Sequence, residues 1–175
     1  MTQIIARHDS ILKSRATALV VCLPSDGVVL DPTLTRLFGL YPDAYHAYKS
    51  LAQKGELNLG DVHHHLIQKQ ATGLMMGNNA RPDHLFMLIT QHNAAHPIAK
   101  STLKQCYQTL YETLFKLMRF HHLSHVSFAL PTGENPHADW AFACERLAVP
   151  RLKITLHIKP SIDISDFIFP LPSNP

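Results

Sequence analysis

The chain has 175 residues, 46% of them hydrophobic and 17% charged, with a formal charge of +3 that leaves 13 histidines uncounted. That length suits one domain with a proper core, and no stretch approaches the roughly 20 apolar residues of a membrane span. Lys and Arg are spread along the chain rather than gathered in a tract or helical stripe, so charge gives nucleic acid little support as a partner, and the mild positive balance equally suits a phosphate-bearing small ligand.

The three cysteines, Cys22, Cys106 and Cys144, are scattered and odd in number, which fits reduced thiols in a cytoplasmic compartment better than a disulfide framework. The opening MTQIIARHDS has no basic region leading into an apolar run, so no secretory signal is expected.

In chain order, Ile4-Ile5-Ala6 is a short apolar opening and His8-Asp9-Ser10 a turn. Ala18 to Leu23 (ALVVCL) is a continuous apolar run of strand length, the pattern of a strand buried on both faces. Pro24-Ser25-Asp26-Gly27 breaks it with turn residues. Leu34, Leu37 and Phe38 share one face of a helix opened by Asp31-Pro32. A second helix is expected over Asp43 to Lys54, ending at Gly55. Gly60 to Leu66 reads as a strand, and Gln68 to Asp83, with Gly73, Gly77 and Pro82, as a loop. Leu85 to Thr90 (LFMLIT) is the next apolar strand, and Gln91 to Lys100 a loop. Ser101 or Thr102 is expected to cap a long helix carrying Leu103, Tyr107, Leu110, Leu114, Leu117 and Met118 at three- and four-residue spacing. Val126 to Leu130 is a strand, Pro131 to Ala138 a polar loop, Trp140 to Leu147 a helix and Leu152 to Ile158 a last strand. Residues 1–159 form the expected domain, and 160–175 a Pro- and Ser-rich tail.

Strands alternating with helices imply a parallel or mixed sheet covered on both faces. Ligands of such sheets bind outside the carboxyl ends of the strands, where this sequence places PSDG, TQHN and PTGEN.

The order of these segments resembles the macrodomain family. IIARHDSILKSRATALVVCLPSDG is similar to a macrodomain opening: strand, turn, apolar strand and first binding loop. LFMLITQHNAAHPIAKSTLKQC resembles the strand, loop and long helix of the branch that includes terminal ADP-ribose protein glycohydrolases and O-acetyl-ADP-ribose deacetylases. HVSFALPTGENPHADW resembles the family's penultimate strand and phosphate loop, and KITLHI its last strand. The resemblance implies a three-layer α/β/α macrodomain-like fold with a mixed central sheet, and a pocket for ADP-ribose or a related nucleotide. ADP-ribosylated proteins become candidate partners, and neither a cofactor nor a metal is implied.

Carried over by position, Asp9 matches the aspartate that accepts from the adenine amino group, with Ser10 beside it. A carboxylate is acceptor-only and suits that donor. Cys22, Ser25, Asp26, Gly27, Thr90 and Gln91 fall at the strand ends beside the pocket, and Pro131, Thr132, Gly133, Glu134 and Asn135 on the second loop. Leu30, Asp31 and Pro32 stand where the family has glycines or small residues, and Pro32 has no amide proton to give a phosphate. The branch's catalytic lysine is replaced by Gly39, so hydrolysis is left to His137 and Asp139 as an alternative acid/base pair.

A second reading is a degenerate macrodomain scaffold acting through protein contacts, which expects a pocket filled by its own side chains such as Leu30. Among the other constellations, His63 and His65 would share a strand face, and His121 with His125 would converge only if the helix ran on. None has the spacing of a zinc motif.

Overall fold

A computed structural model describes residues 3–68, 82–121, 123–129 and 151–158. The expected loop at 131–138, the helix at 140–147, most of the excursion after Gln68 and the tail fall outside these residues.

The strands are β1 (Gln3–Arg7), β2 (Ala18–Pro24), β3 (Val62–Leu66), β4 (His84–Gln91), β5 (His125–Ala129) and β6 (Lys153–His157). The helices are α1 (Pro32–Leu40), α2 (Pro42–Gln53) and α3 (Lys100–His121), with a short 3-10 turn at Ile11–Lys13. One six-stranded sheet has the order β1-β6-β5-β2-β4-β3. All neighbours are parallel except β3, which runs antiparallel along β4 with His64 opposite Phe86. The architecture is a three-layer α/β/α fold with a mixed sheet.

Strand periodicity explains the layers. In β2, Ala18 and Val20 point to the α3 side while Leu19, Val21 and Leu23 point to the α1–α2 side. In β4, Phe86 and Leu88 join the first set, and Leu85, Met87 and Ile89 the second. These two central strands are therefore apolar along most of their length on both faces. α3 closes one face with Leu103, Cys106, Tyr107, Leu110 and Leu114, and Leu37, Phe38, Ala44 and Tyr48 close the other. A large apolar side chain fully buried in this way contributes about 1.5–3 kcal/mol.

Helix ends follow local chemistry. Asp31 accepts from the amides of Thr33 (2.7 Å) and Leu34 (3.2 Å), so the Asp-Pro pair is an N-cap followed by proline in the first turn. At the end of α2 the Glu56 amide reaches Leu51 and the Gly55 amide reaches Ala52, a Schellman closure that needs the left-handed φ of +68° at Gly55. α3 corrects the expected cap. It begins at Lys100 with the Leu103 amide on the Ala99 carbonyl, so Ser101 and Thr102 lie inside its first turn.

Candidate functional site

All five parallel strands end at one edge of the sheet. The chain leaves β2 for α1 on one face and β4 for α3 on the other, which makes the β2–β4 boundary a switch point where a crevice is expected. Backbone bonds close it. The Ser25 amide donates to the Gln91 carbonyl (2.8 Å) and the Asp26 amide to the His92 carbonyl (3.1 Å). The Ser25 hydroxyl reaches the same His92 carbonyl at 3.4 Å. That leaves the stretch of edge running from β2 over β5 to β6.

The first loop is stiff for reasons internal to it. Asp26 folds back to accept from the Val28 amide at 2.8 Å. Gly27 takes φ +79°, and a Cβ there would sit 2.8 Å from the Ala52 Cβ on α2. Its glycine is thus required by the turn and by close approach to a helix. The buried Tyr48 phenol donates to the Pro24 carbonyl (2.5 Å). Burial, then the nearby Asp26 carboxylate and Tyr45, push that phenol well above its ordinary range. The amides of Ser25, Asp26 and Val28 are therefore engaged within the fold.

Cys22 and Thr90 are brought together on the α3 side, with Cys106 close behind them. Burial, reinforced by Cys106, raises the Cys22 thiol far above its ordinary value. Burial and then Asp61 push the Cys106 thiol up to about 12. Both are protonated at neutral pH, which suits packing and not nucleophilic attack. The Cys106 thiol instead points at the Ile89 carbonyl, 3.6 Å away.

At the other end, Ser10 caps the 3-10 turn through the Leu12 amide (3.3 Å). Beside it, Asp9 lies over β6 and is met by a residue that the sequence did not single out. His157 Nδ1 sits 3.1 Å from Asp9 Oδ1 and 2.9 Å from the Asp9 carbonyl. Its Nε2 is 3.2 Å from the Ser127 hydroxyl, and Ser127 is 2.6 Å from the Ser14 hydroxyl. Asp9 keeps 39% of its side chain exposed against 6% for His157. Among the described residues no partner takes the second Asp9 oxygen. A signal did exist in the sequence: His125, Ser127, Thr155 and His157 are polar at period two in two otherwise apolar strands. The structure pairs them diagonally, His125 Nε2 reaching Thr155 at 2.8 Å.

The histidine triplet divides as strand geometry requires. His64 bonds His84 at 2.9 Å and stacks on Phe86, while His65 bonds Asp43 at 2.8 Å. Nε2 of His63 is buried without a hydrogen-bond partner among the described residues. α3 ends at His121 and His125 opens β5, so these two do not share a helix. No group of three or more metal-ligating side chains occurs among the described residues. Leu30 departs from its expected role: it is 69% exposed and fills no pocket. His137, Asp139 and Pro131, Thr132, Gly133, Glu134 and Asn135 lie outside the described residues.

No protein-family model matches the sequence, and no curated protein matches it either. Solved structures do. The macrodomain of Thermus aquaticus DarG superposes with a TM-score of 0.71 at 15% identity, over 90% of this chain and 99% of that one. The macrodomain of Mycobacterium tuberculosis DarG gives 0.69 at 17% identity, over 90% and 98%. The chain has the macrodomain fold. Thermosipho africanus DarTG in complex with ADP-ribose matches at 0.70 and 13% identity, the macrodomain fold here covering 94% of this chain and 44% of that longer one.

Proposed function

We propose that this macrodomain-fold chain binds ADP-ribose or a closely related nucleotide along the edge from β6 to β2. The observation that carries the reading is Asp9: a half-exposed carboxylate, held on one oxygen by a buried histidine, with its other oxygen unpartnered among the described residues. An acceptor-only group held in that way suits the exocyclic amino group of adenine. The Ser25–Gly27 loop lies beyond two strand spacings, roughly 10 Å away, a span suited to an extended nucleotide diphosphate. The complex of Thermosipho africanus DarTG with ADP-ribose supports the choice of ligand.

In this reading Ser10 flanks the adenine end, while Cys22, Thr90 and Gln91 brace the strand ends under the first loop. Because the amides of Ser25, Asp26 and Val28 are engaged internally, the diphosphate is assigned chiefly to the second loop, Pro131 to Asn135. An ADP-ribosylated protein is the macromolecular partner of this reading, and free thiols at partly buried Cys22 and buried Cys106 suit a reducing, cytoplasmic setting. Removal of ADP-ribose would fall to His137 and Asp139, since Gly39 cannot supply a lysine. Release of ADP-ribose from a modified protein, abolished in Asp139→Ala, is the test of that activity.

The degenerate-scaffold reading expected side chains such as Leu30 to fill the pocket, whereas Leu30 is largely in solvent. The binding reading is tested by thermal shift with ADP-ribose on the intact chain and on Asp9→Ala. A ligand-dependent rise in melting temperature that Asp9→Ala removes supports it, and an unchanged melting temperature at millimolar ligand refutes it.

A further inference from the structure

The geometry points to His157 as the residue that positions Asp9, so that the relay Ser14–Ser127–His157 makes the site selective for a purine bearing an exocyclic amino group. This rests on the proposed function, in which Asp9 accepts from the base.

The clamp has an uncommon feature. One nitrogen, His157 Nδ1, faces both the carbonyl (2.9 Å) and a carboxylate oxygen (3.1 Å) of the same residue. Both are acceptors, so Nδ1 carries the proton. Main chain and side chain of Asp9 are thereby fixed together, and one lone-pair set is directed away from the clamp. An aspartate in a turn would otherwise pass among rotamers, and binding would bear the entropy of choosing one.

The histidine is held in turn. In the tautomer with the proton on Nδ1, Nε2 accepts from Ser127, which is fully buried, and that direction leaves Ser127 to accept from Ser14 at 2.6 Å. The Ser14 oxygen also takes the Ala16 amide at 3.1 Å. Each hydroxyl proton of the relay thus has its acceptor. The relay starts and ends on the same β1–β2 connection and is routed through the sheet by β5 and β6. It fixes the loop at Asp9 and at Ser14 together.

Carboxylate, imidazole and hydroxyl in this order also form nucleophilic triads. Here the hydroxyl belongs to Ser127, fully buried in mid-strand and paired with neighbours on both sides, so no substrate reaches it. The arrangement positions and does not react.

The test is calorimetric titration with ADP-ribose and with inosine diphosphate ribose, which carries a carbonyl in place of the amino group. The wild-type chain is expected to prefer ADP-ribose by roughly ten-fold or more, the range of one hydrogen bond to a charged group. Asp9→Ala removes the preference. His157→Leu is expected to remove most of it while binding of the inosine compound changes less than three-fold. His157→Asn, which keeps an amide donor near the Nδ1 position, restores it in part. Circular dichroism reports whether each variant folds. Should His157→Leu not fold, Ser127→Ala decides, with a reduced preference expected. A full preference in His157→Leu, or in Ser127→Ala where that variant decides, overturns the positioning role while leaving Asp9 in place. A wild-type chain that binds both ligands equally overturns the assignment of Asp9. A chain that binds neither overturns the proposed function and the inference with it.

Discussion

Tyr48 on α2 donates its phenol proton to the Pro24 carbonyl at the end of β2, 2.5 Å away, from a position with no solvent exposure. The bond fastens the helix layer to the strand end from which the first loop departs. Tyr48→Phe leaves the Pro24 carbonyl without its phenol partner. The expected loss is about 1–3 kcal/mol of stability, together with weaker ADP-ribose binding, read by urea unfolding and calorimetry. Unchanged stability would show that the phenol is replaceable by water.

Gly27 and Gly39 are expected to respond in opposite directions. Gly27→Ala forces a Cβ against Ala52 at 2.8 Å and places alanine at φ +79°, so a loss of about 2 kcal/mol or more follows. Gly39 lies within α1, and a Cβ added to it would meet no atom within 4 Å. Gly39→Ala is expected to gain about 0.5–1 kcal/mol, because glycine costs that much in a helix. Paired denaturation curves check both signs.

Acid is expected to weaken the fold in two steps. His125 has its pKa lowered by burial first, then by Lys153, His157 and Arg7. The unfolded chain therefore takes up that proton at higher pH than the native one. Its contribution is present above the ordinary value of about 6.5 and is lost as pH falls through the depressed native value. For Asp43, burial acts upward but is outweighed by the Gln68 amide, His65 and the Ala44 amide, which hold the carboxyl below its ordinary 3.8. Its contribution is present above that value and is lost at lower pH still. Melting temperature against pH should show the first step flattened in His125→Gln and the second flattened in Asp43→Asn. A first step that persists unchanged in His125→Gln assigns it to another group.

Leu30→Ser separates the two readings of the first loop. With 69% of the residue exposed, the change is expected to alter stability by less than about 0.5 kcal/mol and to leave ADP-ribose affinity within a factor of two. Marked destabilisation would mean that Leu30 packs into the crevice after all.

The fold was legible because β2 and β4 carry long unbroken apolar runs and α3 repeats at helical spacing. Each of these patterns reports burial directly. The site was legible only in outline. Asp9 and the Ser25–Gly27 loop stand at strand ends, as topology requires, yet the use of each group depends on contacts across the chain. Nothing local says that the Ser25 amide goes to Gln91, or that Gly27 answers to Ala52 rather than to a phosphate. His157 is 148 positions from Asp9, and only the polar alternation in HVSFA and KITLH hinted at a second role for those strands. Asp31 read as a departure from the glycines or small residues of the family's first loop, whereas the structure uses it to cap α1. A local rule had a local explanation there, and family expectation obscured it.

The most direct test of the account is a calorimetric titration of ADP-ribose into the intact chain at neutral pH. The account predicts a saturable, one-to-one heat that is lost in Asp9→Ala. Absence of any heat at millimolar ADP-ribose, from a chain shown by circular dichroism to be folded, would contradict it.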